Sequence, residues 1–206
     1  SDLMVPLTEL VVDYIRNEGF EVIAYRALEI PDNLEVGRHD PARLPDIVKT
    51  LPYQDADAIV LQNIDRLFDY PEFSAAPNVY ESLSDFHRLN SGVFTARPNP
   101  DTFARMLSEL DQPGRFWRRT DQTFLEHFFP DWHGLPVFDN MLQYVWLNLP
   151  HLWRWQDIRV LHYQYEKPWQ NHAKADALRP LIDLWRAHAG DGPVPDPCDL
   201  PGPKTP

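Results

Sequence analysis

The chain has 206 residues, 43% of them apolar, enough to bury one core and, on length alone, to form one domain. Its formal net charge of -12 excludes nucleic-acid binding by phosphate neutralisation, which needs clustered Lys and Arg. No apolar run of about eighteen residues and no basic, apolar, small-residue leader is visible, so neither a membrane span nor a signal peptide is expected. The single cysteine, Cys198, fits a reducing cytoplasmic setting and excludes a cysteine-based zinc site.

Along the chain, a helix is predicted from Thr8, with Val11, Val12, Tyr14 and Ile15 apolar and Gly19 as its stop, followed by a strand over 21–28. The stretch 31–52 is polar and punctuated by proline and glycine, and reads as a loop with a short helix over 44–48. Apolar runs at 58–61 and 92–97 read as buried strands. Asn99 is placed to cap a helix that Pro100 and Asp101 open, with Phe103, Met106, Leu107 and Leu110 as its apolar stripe. A further helix opens at Thr120 and runs toward Phe129, and a short strand over 159–163 delivers His162 to its end. Leu178, Leu181, Ile182 and Trp185 recur at helical spacing. The result is one α/β domain over 1–189 and a tail over 190–206 too rich in proline and glycine to pack.

Three groups of residues could carry chemistry. Asp55-Ala56-Asp57, just before the run at 58–61, offers two carboxylates that could hold a divalent cation beside a diphosphate. Alone it reads more readily as a solvated acidic turn. The segment from His162 to Trp169 places an imidazole and Lys167 at a strand end, where the imidazole could complete a metal shell and the lysine reach a phosphate; singly, each is more often structural. Asn90-Ser91-Gly92 and Asp121-Gln122 offer donors and acceptors suited to sugar hydroxyls, or else an ordinary turn and an ordinary first helical turn. His87, near Asn90, is a further uncertain histidine. The tryptophans could stack on sugar rings, but at this density they more often fill a core.

Taken in order, Asp-Ala-Asp, the segment from Leu61 to Phe68, Asn90-Ser91-Gly92-Val93, Asp121-Gln122 and His162 with Lys167-Pro168-Trp169 resemble glycosyltransferase family 8, which includes glycogenin and galactinol synthase. The resemblance covers 55–169. It implies a GT-A type fold with a Rossmann-like central sheet flanked by helices, a UDP-sugar donor, Mn2+ (or Mg2+), a hydroxyl acceptor and transfer with retention. Carried over by position, Asp55, Asp57 and His162 would be metal ligands and Lys167 would touch the diphosphate. Asn90, Ser91 and Gly92 would bind the donor, with Asp121 and Gln122 at the reacting sugar.

The sequence departs from that family in four places. No strand that would grip the base is evident at the start, which suggests a lost start, and an oligomer is one way to supply the missing strand. Pro52 interrupts the strand expected before Asp55, Arg118 replaces a carboxylate, and Tyr165 stands where a glycine often follows the histidine. An inactive remnant that binds carbohydrate or protein is therefore the alternative to a working transferase; a metal-dependent hydrolase is weaker, because no second carboxylate or histidine cluster accompanies the first.

Overall fold

The computed structural model describes residues 51–54, 56–97, 99–110, 112–114, 120–190 and 193–203. The helix expected from Thr8, the strand over 21–28 and all but the end of the loop over 31–52 lie outside them, as do Asp55, Trp117, Arg115, Arg118 and Arg119. Contacts divide the chain between Ile47 and Val48, and every described residue belongs to the second unit.

Seven strands are described: β1 (Leu51–Gln54), β2 (Ala58–Val60), β3 (Ser74–Pro77), β4 (Leu89–Ala96), β5 (His133–Gly134), β6 (Met141–Leu142) and β7 (Val160–His162). One sheet has the order β1-β4-β3-β5 and the other β2-β7-β6. Three pairings are antiparallel, while β3–β5 and β6–β7 are parallel. Pro52 does not prevent a strand here, because β1 lies at the edge of its described sheet, where a missing N–H donor is tolerated.

The helices are α1 (Pro100–Leu110), α2 (Asp121–Phe128), α3 (Gln143–Asn148) and α4 (Arg179–Ala189). The expected caps form. Asn99 Oδ1 accepts from the N–H groups of Asp101 and Thr102 at 2.9 and 3.0 Å, and Thr120 accepts from that of Thr123. The stripe on α1 divides: Met106 and Leu110 pack near Phe73, whereas Phe103 and Leu107 are exposed. Periodicity sets which residues share a face, but not how much of that face a neighbour covers.

Trp146, Trp153 and Trp155 are buried and meet mostly edge to face, filling a core beneath α4 with Leu161, Tyr163 and Leu181. Trp169 is exposed and leans on Trp185. The tail departs from the expectation of an unpacked segment: the Trp155 indole donates to Pro201 O at 3.0 Å, and Leu200 packs against the same core. Proline-rich chain can dock where one side chain supplies a donor and an apolar wall.

β7 is held from behind through Tyr163, whose buried hydroxyl donates to Leu181 O at 2.8 Å. Tyr163→Phe should therefore cost about 1–2 kcal/mol, read as a lower Tm, by leaving that carbonyl one partner short; an unchanged Tm would show that this bond does not help hold β7 against α4.

Candidate active site

The register of the second sheet builds the site. Ala58 pairs with His162, and the N–H of Tyr163 donates to Asp57 O at 2.8 Å, so Asp57 stands just before β2, beside the end of β7 at His162. The Asp57 carboxylate then has two neighbours. His162 Nε2 lies 3.4 Å from Oδ1, and the Lys167 ammonium is ion-paired with Oδ2 while also donating to Tyr163 O at 3.0 Å. Burial alone would push the Asp57 carboxyl up; hydrogen bonding and charge from His162 and Lys167 outweigh it and bring the carboxyl down to about 2.

A chain of buried amides sets the orientation of His162. The Gly92 N–H can only donate, so the atom it meets at 2.9 Å is the carbonyl oxygen of Asn90. The same oxygen accepts from Asn140 Nδ2 at 2.8 Å, while Asn90 Nδ2 donates to Asn78 Oδ1 at 2.9 Å. The amide of Asn140 is thereby fixed with Oδ1 against His162 Nδ1 at 3.0 Å. It follows that Nδ1 carries the hydrogen, and in the neutral ring Nε2 is the lone-pair nitrogen turned toward Asp57. In the charged ring both nitrogens donate, one to Asn140 and one to Asp57.

The elements around the ring are fixed in turn. Asn140 ends the 3-10 turn Val137–Asn140, and its neighbour Asp139, fully buried, takes Arg66 at 2.5 Å on both oxygens and Arg159 at 3.7 Å. Gln62 Nε2 donates to the carbonyls of Gln156 and Ile158, which fastens the segment after β2 to the approach of β7. Gln143, buried at the start of α3, donates to the carbonyls of Gln164 and Glu166 and so sets the turn that carries Lys167. Tyr165, in that turn, adopts a left-handed backbone conformation (φ 64°) and bonds through its hydroxyl to Tyr80 at 2.7 Å.

Gly92 is required by space. A Cβ there would lie 2.2 Å from both Cε1 and Nδ1 of His162. Ser91, the next residue back on β4, donates to Asp121 Oδ2 at 2.7 Å at the head of α2. The structure therefore gathers Asp57, His162 and Lys167 in one group, joins Gly92 and Asn90 to His162, and links Ser91 to Asp121. Gln122 follows at the second position of α2, half-buried, and Asp55 lies outside the described residues. Asn90 and Ser91 sit inside β4, which starts three residues earlier than expected, at Leu89, and the amide of Asn90 is engaged at both ends by protein groups. His87 is exposed at the end of the turn Leu83–His87.

Sequence reasoning missed Asn78, Asn140 and Gln143. Nothing local marks them, since each acts through a partner at least twelve residues away. Among the described residues no group of three or more His, Cys, Asp and Glu could hold a metal ion. The pair Asp57–His162 nonetheless has the chemistry of a cation's ligands: a hard carboxylate oxygen and an imidazole nitrogen 3.4 Å apart.

The fold is that of known sugar transferases. Among solved structures, the apo form of the glycosyltransferase GlyE from Streptococcus pneumoniae matches with a TM-score of 0.50 over 74% of this chain and 46% of that one, at 18% identity. The architecture is α/β, of the GT-A nucleotide-diphospho-sugar transferase type. No family model matches the chain. It is 35% identical over 106 residues to UDP-glucuronate:xylan alpha-glucuronosyltransferase 2 of Arabidopsis thaliana, covering 52% of this chain and 16% of that protein. With Glycogenin-1 of Homo sapiens it shares 41% identity over 80 residues, 39% of this chain and 21% of the other. A shorter stretch of 58 residues, 28% of this chain and 23% of the relative, is 66% identical to maleate isomerase of Pseudomonas putida. The chain spans less than a third of the length of the curated relatives it matches. Among the described residues no helix is long and apolar enough to cross a membrane.

Two outcomes follow from this geometry. Gly92→Ala should cost about 1–3 kcal/mol and displace the His162 ring, because the amide chain prevents the ring from yielding; a wild-type Tm with an unmoved histidine resonance would contradict the close approach. The folded Asp57 carboxyl lies below its ordinary value of 3.8, so its stabilising contribution is complete above that value and is lost as pH falls through about 2. Asp57→Asn should therefore flatten the loss of stability of the metal-free chain across that window in denaturant titrations, and equal slopes would remove Asp57 from the acid response.

Proposed function

We propose that this chain belongs to glycosyltransferase family 8 and transfers a hexosyl group from a UDP-sugar to a hydroxyl acceptor, with retention and with a divalent cation, Mn2+ or Mg2+. The observation that carries the reading is the meeting at the Asp57 carboxylate of His162 Nε2 on one oxygen and Lys167 on the other, with the imidazole oriented by the amide chain. A carboxylate and an imidazole are donors suited to such a cation, and a site that adds a lysine is suited to a diphosphate.

In this reading Asp57 and His162, with Asp55, hold the cation, which when bound neutralises charge on the departing diphosphate. Lys167 pairs with a phosphate oxygen as a point charge. Asp121, oriented by the Ser91 hydroxyl, accepts from a sugar hydroxyl, and Gln122 lies beside it on the first turn of α2. Asn90 and Gly92 act through His162, one by orienting it and the other by leaving room for it. In the transfer, the bond from the anomeric carbon to the phosphate oxygen breaks and one to the acceptor oxygen forms on the same face. The acceptor proton passes to the departing phosphate oxygen, so no separate protein base is needed. The free, exposed Cys198 accords with a cytoplasmic setting.

Calorimetric titration of UDP tests this. Binding is expected with Mn2+, is lost with chelator, and weakens at least tenfold, or about 1.4 kcal/mol, in Asp57→Ala. UDP affinity that ignores both metal and mutation would refute the metal role, and no binding in any condition would refute the donor site.

A further inference from the structure

Resting on that reading, we propose that Lys167 is a tethered cation occupying the carboxylate a metal would use, so that the site admits a divalent cation together with a diphosphate and resists the free ion. The Lys167 ammonium is ion-paired with Asp57 Oδ2 and donates to Tyr163 O at 3.0 Å, while His162 Nε2 faces the other oxygen of the same carboxylate at 3.4 Å. One carboxylate therefore already carries a positive partner on the side away from the imidazole.

A free divalent cation arriving at Asp57 and His162 meets that ammonium a few ångströms away. At such range two positive charges repel even in water, and more strongly in a partly buried site. Displaced by the ion alone, Lys167 loses its carboxylate and gains nothing. A diphosphate changes the balance, because its oxygens receive the ammonium while the cation takes Asp57. The movement required is confined to the lysine stem: the backbone of its turn is held by Gln143 to the carbonyls of Gln164 and Glu166, and the Glu166 side chain by Tyr144 and by Lys174 at 3.1 Å. A flexible four-carbon stem on a fixed turn can exchange partners without opening the fold. Cation and diphosphate thus become positively linked ligands, each raising the affinity of the other by the same factor.

The test is Mn2+ binding to the full chain, followed by electron paramagnetic resonance and calorimetry, with and without UDP, in wild type, Lys167→Met and Lys167→Arg. Without UDP, Lys167→Met should bind Mn2+ about tenfold more tightly than wild type, and Lys167→Arg should bind like wild type. With UDP, the Mn2+ affinity of wild type should rise by at least as much, and that of Lys167→Met by less. Equal Mn2+ affinity of wild type and Lys167→Met in the absence of UDP would overturn the proposal while leaving the metal site standing. Should Lys167→Met not fold, wild type alone decides, since Mn2+ bound as tightly without UDP as with it has the same consequence. Failure of every protein to bind Mn2+ even with UDP would overturn the metal-dependent reading on which the proposal rests.

Discussion

A buried row of side-chain amides, from Asn78 through Asn90 and Asn140 to His162, determines how the rest of the site is read. Its polarity is set at one point, the backbone N–H of Gly92, which cannot accept and so assigns every amide after it. The consequence reaches the imidazole, whose outward nitrogen faces Asp57 as an acceptor when the ring is neutral. Such networks are stabilising only when satisfied, because an unpaired polar atom in this interior costs about 1–3 kcal/mol.

The surrounding fold supports that row from several directions. Arg66 grips buried Asp139 and thereby fixes Asn140, the adjacent residue, while Gln62 ties the end of β2 to the run into β7. The motif around Leu61 to Phe68 is thus a latch between the carboxylate side and the histidine side of the site. Removing Arg66 would leave the buried Asp139 carboxylate with only Arg159 at 3.7 Å, a larger loss than the Arg66–Asp139 pair's own net contribution to stability. Gln143 does for the Lys167 turn what Asn140 does for His162. The two groups that meet the Asp57 carboxylate, His162 and Lys167, are each held by a residue far away in sequence, so neither has an independent orientation.

The relatives found by sequence belong to two enzyme classes. The match to the xylan glucuronosyltransferase covers 52% of the chain, and the more identical matches to isomerases cover 28% and 39%. The motifs that carry the transferase resemblance begin at Asp55; the structure brings Asp57, Asn90, Gly92, His162 and Lys167 together and separately joins Ser91 to Asp121.

Much of this was legible in the amino-acid order. Asn99, Pro100 and Thr120 mark helix starts through local hydrogen bonding and a fixed φ, and short apolar runs mark β2 and β7, because these depend on neighbours a few residues away. The pairing of Asp57 with His162 could be expected from an ordered set of motifs, though no single motif carried it. What only the tertiary structure decided is the set of long-range partners: that Asn90 orients a histidine, that Asn140 and Gln143 position the site, that half the stripe of α1 stays in water, and that the tail docks on Trp155. Local order specifies what a residue can donate or accept; which distant atom meets it is settled by packing, where a hydrogen bond depends on a few tenths of an ångström and leaves no trace in sequence spacing.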